Sequence, residues 1–126
     1  MPDLLVVEDE FALGEFVRHS LERAGLPHRL AQNGQQALSL ADERWPGAVL
    51  LDLTLPGELD GWGVWDRLRA RTTHEPLRVV VFAAELDTSD EFEARRRGAW
   101  AILRKPVGRA RLVEVLRDAL AEGTNG

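Results

Sequence analysis

Short, nearly continuous apolar runs alternate with amphipathic stretches along this chain, five times over. The first run, Asp3–Val7, ends in acids. Leu13, Phe16, Val17, Leu21 and Ala24 follow at helical spacing, and Gly25 stops that helix. His28–Ala31 predicts a short, weak strand. Asn33 is a natural cap for a helix over Gln35–Glu43, which Pro46-Gly47 ends. Ala48–Leu53 predicts the second strong strand, and Leu55–Gly61 a loop rich in Pro, Gly and Asp. Trp62–Arg71 predicts a helix with Val64, Trp65 and Leu68 on one face. Arg78–Ala83 predicts the third strong strand. Ser89–Arg97 predicts a weak helix with Phe92 and Ala94 turned inward, closed by Gly98. Trp100–Leu103 predicts the last strand, and Leu112, Val113, Leu116, Ala119 and Leu120 mark the final helix. Apolar strands joined by helices mean a parallel sheet covered on both faces, an α/β fold.

Length and composition narrow the function classes. The 126 residues fit one domain with one core. That domain is expected over residues 1–121, with 122–126 a frayed tail or the start of a linker. No apolar run is long enough to cross a bilayer, and no basic stretch precedes an apolar one at the N-terminus. A cytoplasmic location, with no membrane partner, is the expectation. The absence of cysteine removes disulfides, thiolate catalysis and Cys-type zinc sites. His19, His28 and His74 lack ligand spacing. A net charge of −5 argues against direct nucleic-acid binding. Arg95-Arg96-Arg97 reads as a solvated helix end, where cations complement the macrodipole, and not as a phosphate patch. Trp45, Trp62 and Trp65 are expected to pack at helix edges. Of sixteen basic residues, fifteen are Arg. The one lysine, Lys105, stands out because a compact ammonium on a flexible stem does what a guanidinium does not.

Open parallel sheets bind ligands beyond the carboxyl ends of their strands. The first strand ends in Glu8-Asp9-Glu10, the third at Asp52, and the fifth at Arg104-Lys105-Pro106. Acid, acid and lysine therefore arrive at one edge from separate segments. Carboxylates held together repel, so such a cluster takes a proton or a cation. Oxygen ligands without His or Cys favour Mg²⁺ or Mn²⁺ over Zn²⁺. Beside such an ion the Asp52 carboxylate suits nucleophilic attack on a phosphoryl donor, forming an acyl phosphate. Lys105 suits stabilisation of the same oxygens from the other side.

Val-Val-Glu8-Asp9-Glu10, Leu-Leu-Asp52-Leu-Thr-Leu-Pro56-Gly57, Asp60-Gly61, Gly98-Ala99 and Lys105-Pro106 resemble the signature of the receiver domains of bacterial two-component response regulators. The resemblance covers residues 3 to about 121. It implies a doubly wound, flavodoxin-like (βα)5 fold, a three-layer sandwich with strand order 2-1-3-4-5. It implies that Glu8 and Asp9 hold Mg²⁺, partly through water, and that Asp52 is both ligand and phosphoacceptor. The backbone carbonyl of Thr54 would complete the metal shell, and Lys105 would pair with Asp52 or the phosphoryl group. A cis Lys105-Pro106 bond is implied as well. The implied partner is a sensor histidine kinase or a phosphotransfer protein.

Four departures from that signature matter. Receivers usually carry Thr or Ser at the end of the fourth strand, where this chain has Ala83. A hydrogen bond to a charged group contributes about 1.5–3 kcal/mol, so its loss weakens the coupling of phosphoryl group to loop. The family's switch aromatic maps to Ile102. Trp100, two residues earlier, either packs or serves as an exposed contact in its stead. The loop between acceptor and Asp60-Gly61 is one residue longer than the commonest pattern. Ala101, Arg111 and Val115 stand where salt-bridge residues are typical, so no family-standard dimer through the fourth helix, fifth strand and fifth helix is expected.

Two rival readings differ in class. A pseudo-receiver would keep the fold as a docking module without phosphorylation; Ala83 and Ile102 favour it, and the intact Glu8, Asp9, Asp52 and Lys105 oppose it. Asp52-Leu-Thr54 is loosely similar to the nucleophile motif of haloacid-dehalogenase-type phosphohydrolases, but Thr54 stands where those enzymes need a second Asp. The expectation is therefore a non-enzyme. No Gly-x-Gly-x-x-Gly follows the first strand, which leaves dinucleotide binding without a motif.

Overall fold

A computed structural model describes residues 2–71 and 76–122. Ten elements alternate strictly: β1 Leu4–Val7, α1 Phe11–Arg23, β2 His28–Ala31, α2 Gly34–Glu43, β3 Ala48–Asp52, α3 Gly61–Arg69, β4 Val79–Ala83, α4 Thr88–Arg96, β5 Ala101–Arg104 and α5 Arg109–Glu122. The five strands form one parallel sheet in the order β2-β1-β3-β4-β5. His74 lies outside the described residues. Of the expected tail, Glu122 is the last residue of α5, and 123–126 lie outside the described residues.

Two apolar layers cover the sheet, and the two-residue period of a strand sorts side chains between them. Leu5, Val7, Val49, Leu51, Val79 and Val81 pack with buried residues of α2, α3 and α4. Leu4, Val6, Leu50, Val80 and Phe82 pack with those of α1 and α5. Both faces are buried, so β1, β3 and β4 read as continuous apolar runs in the sequence. The helix starts follow the capping rules. Asn33, Asp60 and Asp87 each accept a hydrogen bond from a backbone amide three residues on. Gly25 and Gly98, both at positive φ, turn the chain out of α1 and α4.

Two expected burial patterns are corrected. Phe92 is 69% exposed, while Ala94 is fully buried. Residues two apart on a helix point about 200° apart, so both could not face inward, and α4 has only this one buried position. In α5 the core takes Val115 with Leu112, Leu116, Ala119 and Leu120, and Val113 is only half-buried. Spacings of three, four, seven and eight from Leu112 place Val115, not Val113, on that face.

The Arg95-Arg96-Arg97 run is also not uniformly solvated. Arg95 and Arg96 are exposed and pair along their own helix with Glu91 and Glu93. The Arg97 side chain is 12% exposed. Its guanidinium lies 4.9 Å from the centre of the Trp62 ring and 5.4 Å from that of Trp65. Those rings stack at 5.9 Å, and Arg97 also bonds Asp66 and Glu93, both at 2.8 Å. One arginine thus ties α4 to α3 where α4 offers little apolar surface. Arg97→Ala is expected to lose about 1.5 kcal/mol of stability from the stacked cation and its packing. Arg95→Ala is expected to stay within about 0.5 kcal/mol of the parent. Urea unfolding of the two variants checks both, and equal effects would show that Arg97 ties nothing.

At the opposite edge, Asp3 is buried and accepts two bonds from Arg29 and one from Arg44. Burial alone would raise its pKa, but the two guanidinium groups outweigh it and lower the carboxyl below its ordinary value. The cluster closes the amino end of the sheet, away from the acids at the carboxyl end.

Candidate functional site

The sheet order decides which residues can meet. β1 and β3 are neighbours in register, Val7 beside Leu51, so Glu8 leaves β1 next to Asp52 at the end of β3. β5 lies one strand further out, beyond β4. Lys105 returns across that gap: its amide donates to the Ala83 carbonyl at 2.9 Å, and its Nζ passes 4.9 Å from the Phe82 ring centre. The ammonium then reaches Glu8 Oε1 at 2.9 Å and Asp52 Oδ2 at 3.6 Å. The Lys105-Pro106 bond is cis.

Glu8, Asp9 and Asp52 each present a carboxylate oxygen within 4.8 Å of the other two. Glu8 and Asp52 are 2% exposed, and Asp9 is at the surface. Burial pushes the Glu8 carboxyl up to about 7. The Lys105 ammonium and the Glu10 amide act against that rise, and the Asp52 charge adds to it. Asp9 is raised by burial first and by its Asp52 neighbour second. Glu10, the third acid of the run, is exposed and caps the start of α1 without a side-chain bond. Three carboxylates, two of them buried, with oxygen as the only donor type, suit a hard divalent cation such as Mg²⁺ or Mn²⁺ in their chemistry.

Asp52 is held from its own loop. Its Oδ1 accepts from both the amide and the hydroxyl of Thr54, each at 2.9 Å. The amide contact is the Asx turn that an Asp entering a Pro-Gly loop favours. The hydroxyl contact is not among the Thr54 features that the sequence suggests. Leu53, Leu55 and Leu59 anchor this loop in the core, while Pro56, Gly57 and Glu58 stand outside it. Gly57, at φ +91°, turns the exposed tip of the loop. Gly61 brings α3 back against the strand, and its amide donates to the Leu53 carbonyl.

Ala83 is buried at the end of β4, and exposed Ala84 and Glu85 come directly after it. Ile102 is half-buried and packs on the α2–α3–α4 side of the sheet. Trp100, just before β5, is 40% exposed with the Arg78 guanidinium 5.3 Å from its ring centre, so it is partly packed and partly open.

Residues 4–117 match the family model of the response regulator receiver domain. The chain belongs to the response regulator receiver family. It is 37% identical over 120 residues to the KDP operon transcriptional regulatory protein KdpE of Escherichia coli, which covers 95% of this chain and 52% of that protein. It is 36% identical over 121 residues to the response regulator MprA of Mycolicibacterium vanbaalenii, covering 96% and 51%. The chain thus spans about half the length of these curated relatives. The receiver domain of NtrX from Brucella abortus superposes with a TM-score of 0.84 at 33% identity, covering 94% of this chain and 98% of that one. The chemotaxis protein CheY4 of Vibrio cholerae superposes at 0.86 with 23% identity, covering 95% and 99%, a likeness of fold. Receiver domains are signalling domains of two-component systems, ordinarily bind Mg²⁺ at an acidic pocket, and imply a histidine kinase or phosphotransfer partner. Among the described residues no helix is long and apolar enough to cross a membrane.

Proposed function

We propose that this receiver is a working phosphoacceptor, in which Asp52 takes a phosphoryl group from a histidine kinase or phosphotransfer protein. The observation that carries this reading is the Lys105 ammonium set between Glu8 and Asp52 on a cluster of three carboxylates. Glu8, Asp9 and Asp52, with the Thr54 backbone carbonyl, are the residues that would hold Mg²⁺, or Mn²⁺ in its place. When bound, such an ion neutralises charge on the phosphoryl oxygens.

The remaining work falls to the chain's own groups. Asp52 Oδ1 carries both Thr54 donors, so Oδ2, facing Lys105, is the oxygen that attacks phosphorus. The bond from phosphorus to the donor breaks, and the leaving atom keeps the electron pair. Lys105 stands within reach of the incoming phosphoryl oxygens and exchanges Glu8 for them. The domain is modified once per event and is not an enzyme that turns over a substrate.

The receiver core occupies residues 1–121, with 122–126 a tail or the start of a linker. Ala83 and Ile102 supply neither the hydroxyl nor the aromatic of the usual switch, so the output differs from the common helix-face switch. Val115, buried in the core, and Arg111, paired with Glu114, leave the fifth helix without the partners of a family-standard dimer. The domain acts in the cytoplasm and binds neither nucleic acid nor membrane directly.

The test is an intact-mass spectrum after incubation with Mg²⁺ and acetyl phosphate, beside Asp52→Asn. The expected result is one added phosphoryl group in the parent and none in the variant. No gain, with Mg²⁺ binding confirmed by titration, would replace this reading with the docking module that Ala83 and Ile102 favour.

A further inference from the structure

The hydroxyl absent at Ala83 leaves the phosphoryl group one donor short, and another hydroxyl stands on the acceptor itself. Thr54 Oγ1 donates to Asp52 Oδ1 at 2.9 Å, beside the Thr54 amide on the same oxygen. Among the described residues it is the one side-chain hydroxyl bonded to Asp52. Ala83, one residue past the Phe82 that pairs with Asp52 in register, is 1% exposed and offers only a methyl group. Thr54, in contrast, is exposed, so its side chain can turn without disturbing the core.

We propose that the Thr54 hydroxyl binds a phosphoryl oxygen of phosphorylated Asp52 and replaces the donor missing at position 83. The inference rests on Asp52 being the phosphoacceptor. In the resting state the carboxylate charge is shared by both oxygens, and Oδ1 is a good acceptor. Once Oδ2 bonds to phosphorus and the leaving group departs with its electron pair, Oδ1 becomes a neutral carbonyl oxygen. Phosphoryl oxygens sharing a charge of nearly −2 then lie beside it. A charge-assisted hydrogen bond is roughly twice as strong as a neutral one, so the rotatable hydroxyl moves to the phosphoryl group. The Thr54 amide has no such freedom. The same donor meets the charge that spreads over the equatorial oxygens during transfer, so it acts on the rate of phosphorylation as well.

Thr54→Val keeps the shape and removes the donor. With acetyl phosphate and Mg²⁺, its phosphorylation rate is expected to fall about tenfold, the order of one charge-assisted bond less the resting bond it replaces. Thr54→Ser is expected to recover most of the rate. Ala83→Ser, which adds one oxygen at the buried position, is expected to raise the rate of Thr54→Val much more than that of the parent. That coupling separates a shared phosphoryl contact from a general loss of structure. A second readout needs no turnover: in the beryllofluoride-loaded domain, one ¹⁹F resonance is expected to shift on Thr54→Val. A parent that is phosphorylated on Asp52, with Thr54→Val equally fast and its ¹⁹F spectrum unchanged, would overturn the role of Thr54 alone. A parent that takes no phosphoryl group would overturn the phosphoacceptor reading and this inference with it.

Discussion

Gly61→Ala is expected to cost about 3 kcal/mol or more of folding stability, the largest effect of any single methyl group added near the site. A Cβ at Gly61 would stand 2.4 Å from the Asp52 carbonyl oxygen and 2.5 Å from the Leu53 Cα. Both neighbours are backbone, in the last residue of β3 and the one after it, so no side chain can swing aside. Overpacking against a movable side chain typically costs 1–3 kcal/mol; here the start of α3 and the end of β3 must separate instead. The Gly61 amide bond to the Leu53 carbonyl would be strained by the same shift. Because the displaced strand end carries Asp52, Mg²⁺ affinity is expected to fall in whatever fraction still folds. Gly57→Ala is the control. That glycine has φ +91° and nothing within 4 Å of a Cβ, so only the backbone conformation opposes the change, at about 1–2 kcal/mol. Urea unfolding with and without Mg²⁺ measures both. If Gly57→Ala proves the more damaging, close approach of α3 to β3 is not what fixes Asp52.

This contact explains why a short motif could be read in the sequence while its reason could not. Asp60-Gly61 is visible in one dimension, and Asp60 as a helix cap follows from local chemistry. That Gly61 leaves no room for a Cβ beside the Asp52 carbonyl depends on where β3 ends in space. The same division runs through the molecule. β2 and the Asn33 cap are local features and were legible to the residue. Strand-end acids at Glu8, Asp9 and Asp52 were legible because a parallel sheet delivers strand ends to one edge. Side-chain direction on weakly amphipathic helices was not. α4 has so few apolar residues that its sequence points to Phe92 as an anchor, and the structure instead holds α4 with Ala94 and Arg97. Correspondence with the family places Val115 on a dimer face, while helical spacing from Leu112 puts it in the core, where it is buried. The Thr54 hydroxyl escaped because a bond between a side chain and its near neighbour leaves no periodic trace.

In the absence of divalent ions, the domain is expected to lose about 3 kcal/mol of stability at most as pH rises from about 4.5 to about 7. Glu8 is the source. Its carboxyl titrates at 4.5 when exposed and at about 7 in the folded protein. Below both values the group is protonated in both states and contributes nothing. Between them the unfolded chain has released its proton while the folded protein still holds one, so each step up in pH favours unfolding. Above about 7 both states are ionised and the loss is complete; 1.36 kcal/mol per pKa unit sets its ceiling. Asp3 contributes with the opposite sign, since its lowered carboxyl stabilises the fold above its ordinary 3.8 and is lost as pH falls below that. Asp9, whose carboxyl is also raised, adds to the decline with the same sign, so the Glu8 share is read as the difference between the parent and Glu8→Gln. Glu8→Gln is expected to flatten it, because an amide keeps much of the shape and carries no charge. Saturating Mg²⁺ is expected to remove it by another route, since a cation binds the ionised cluster and favours the folded state more as pH rises. Urea midpoints at several pH values, in EDTA and in Mg²⁺, measure the decline and its rescue. Flat stability in EDTA would mean that Lys105 alone neutralises Glu8, and that the pocket is no more prepared for a cation than for an ammonium. A decline that Mg²⁺ erases and Glu8→Gln abolishes would show instead that the buried, ionised Glu8 destabilises the fold, with the Asp52 charge adding to the effect, and that a bound cation relieves it.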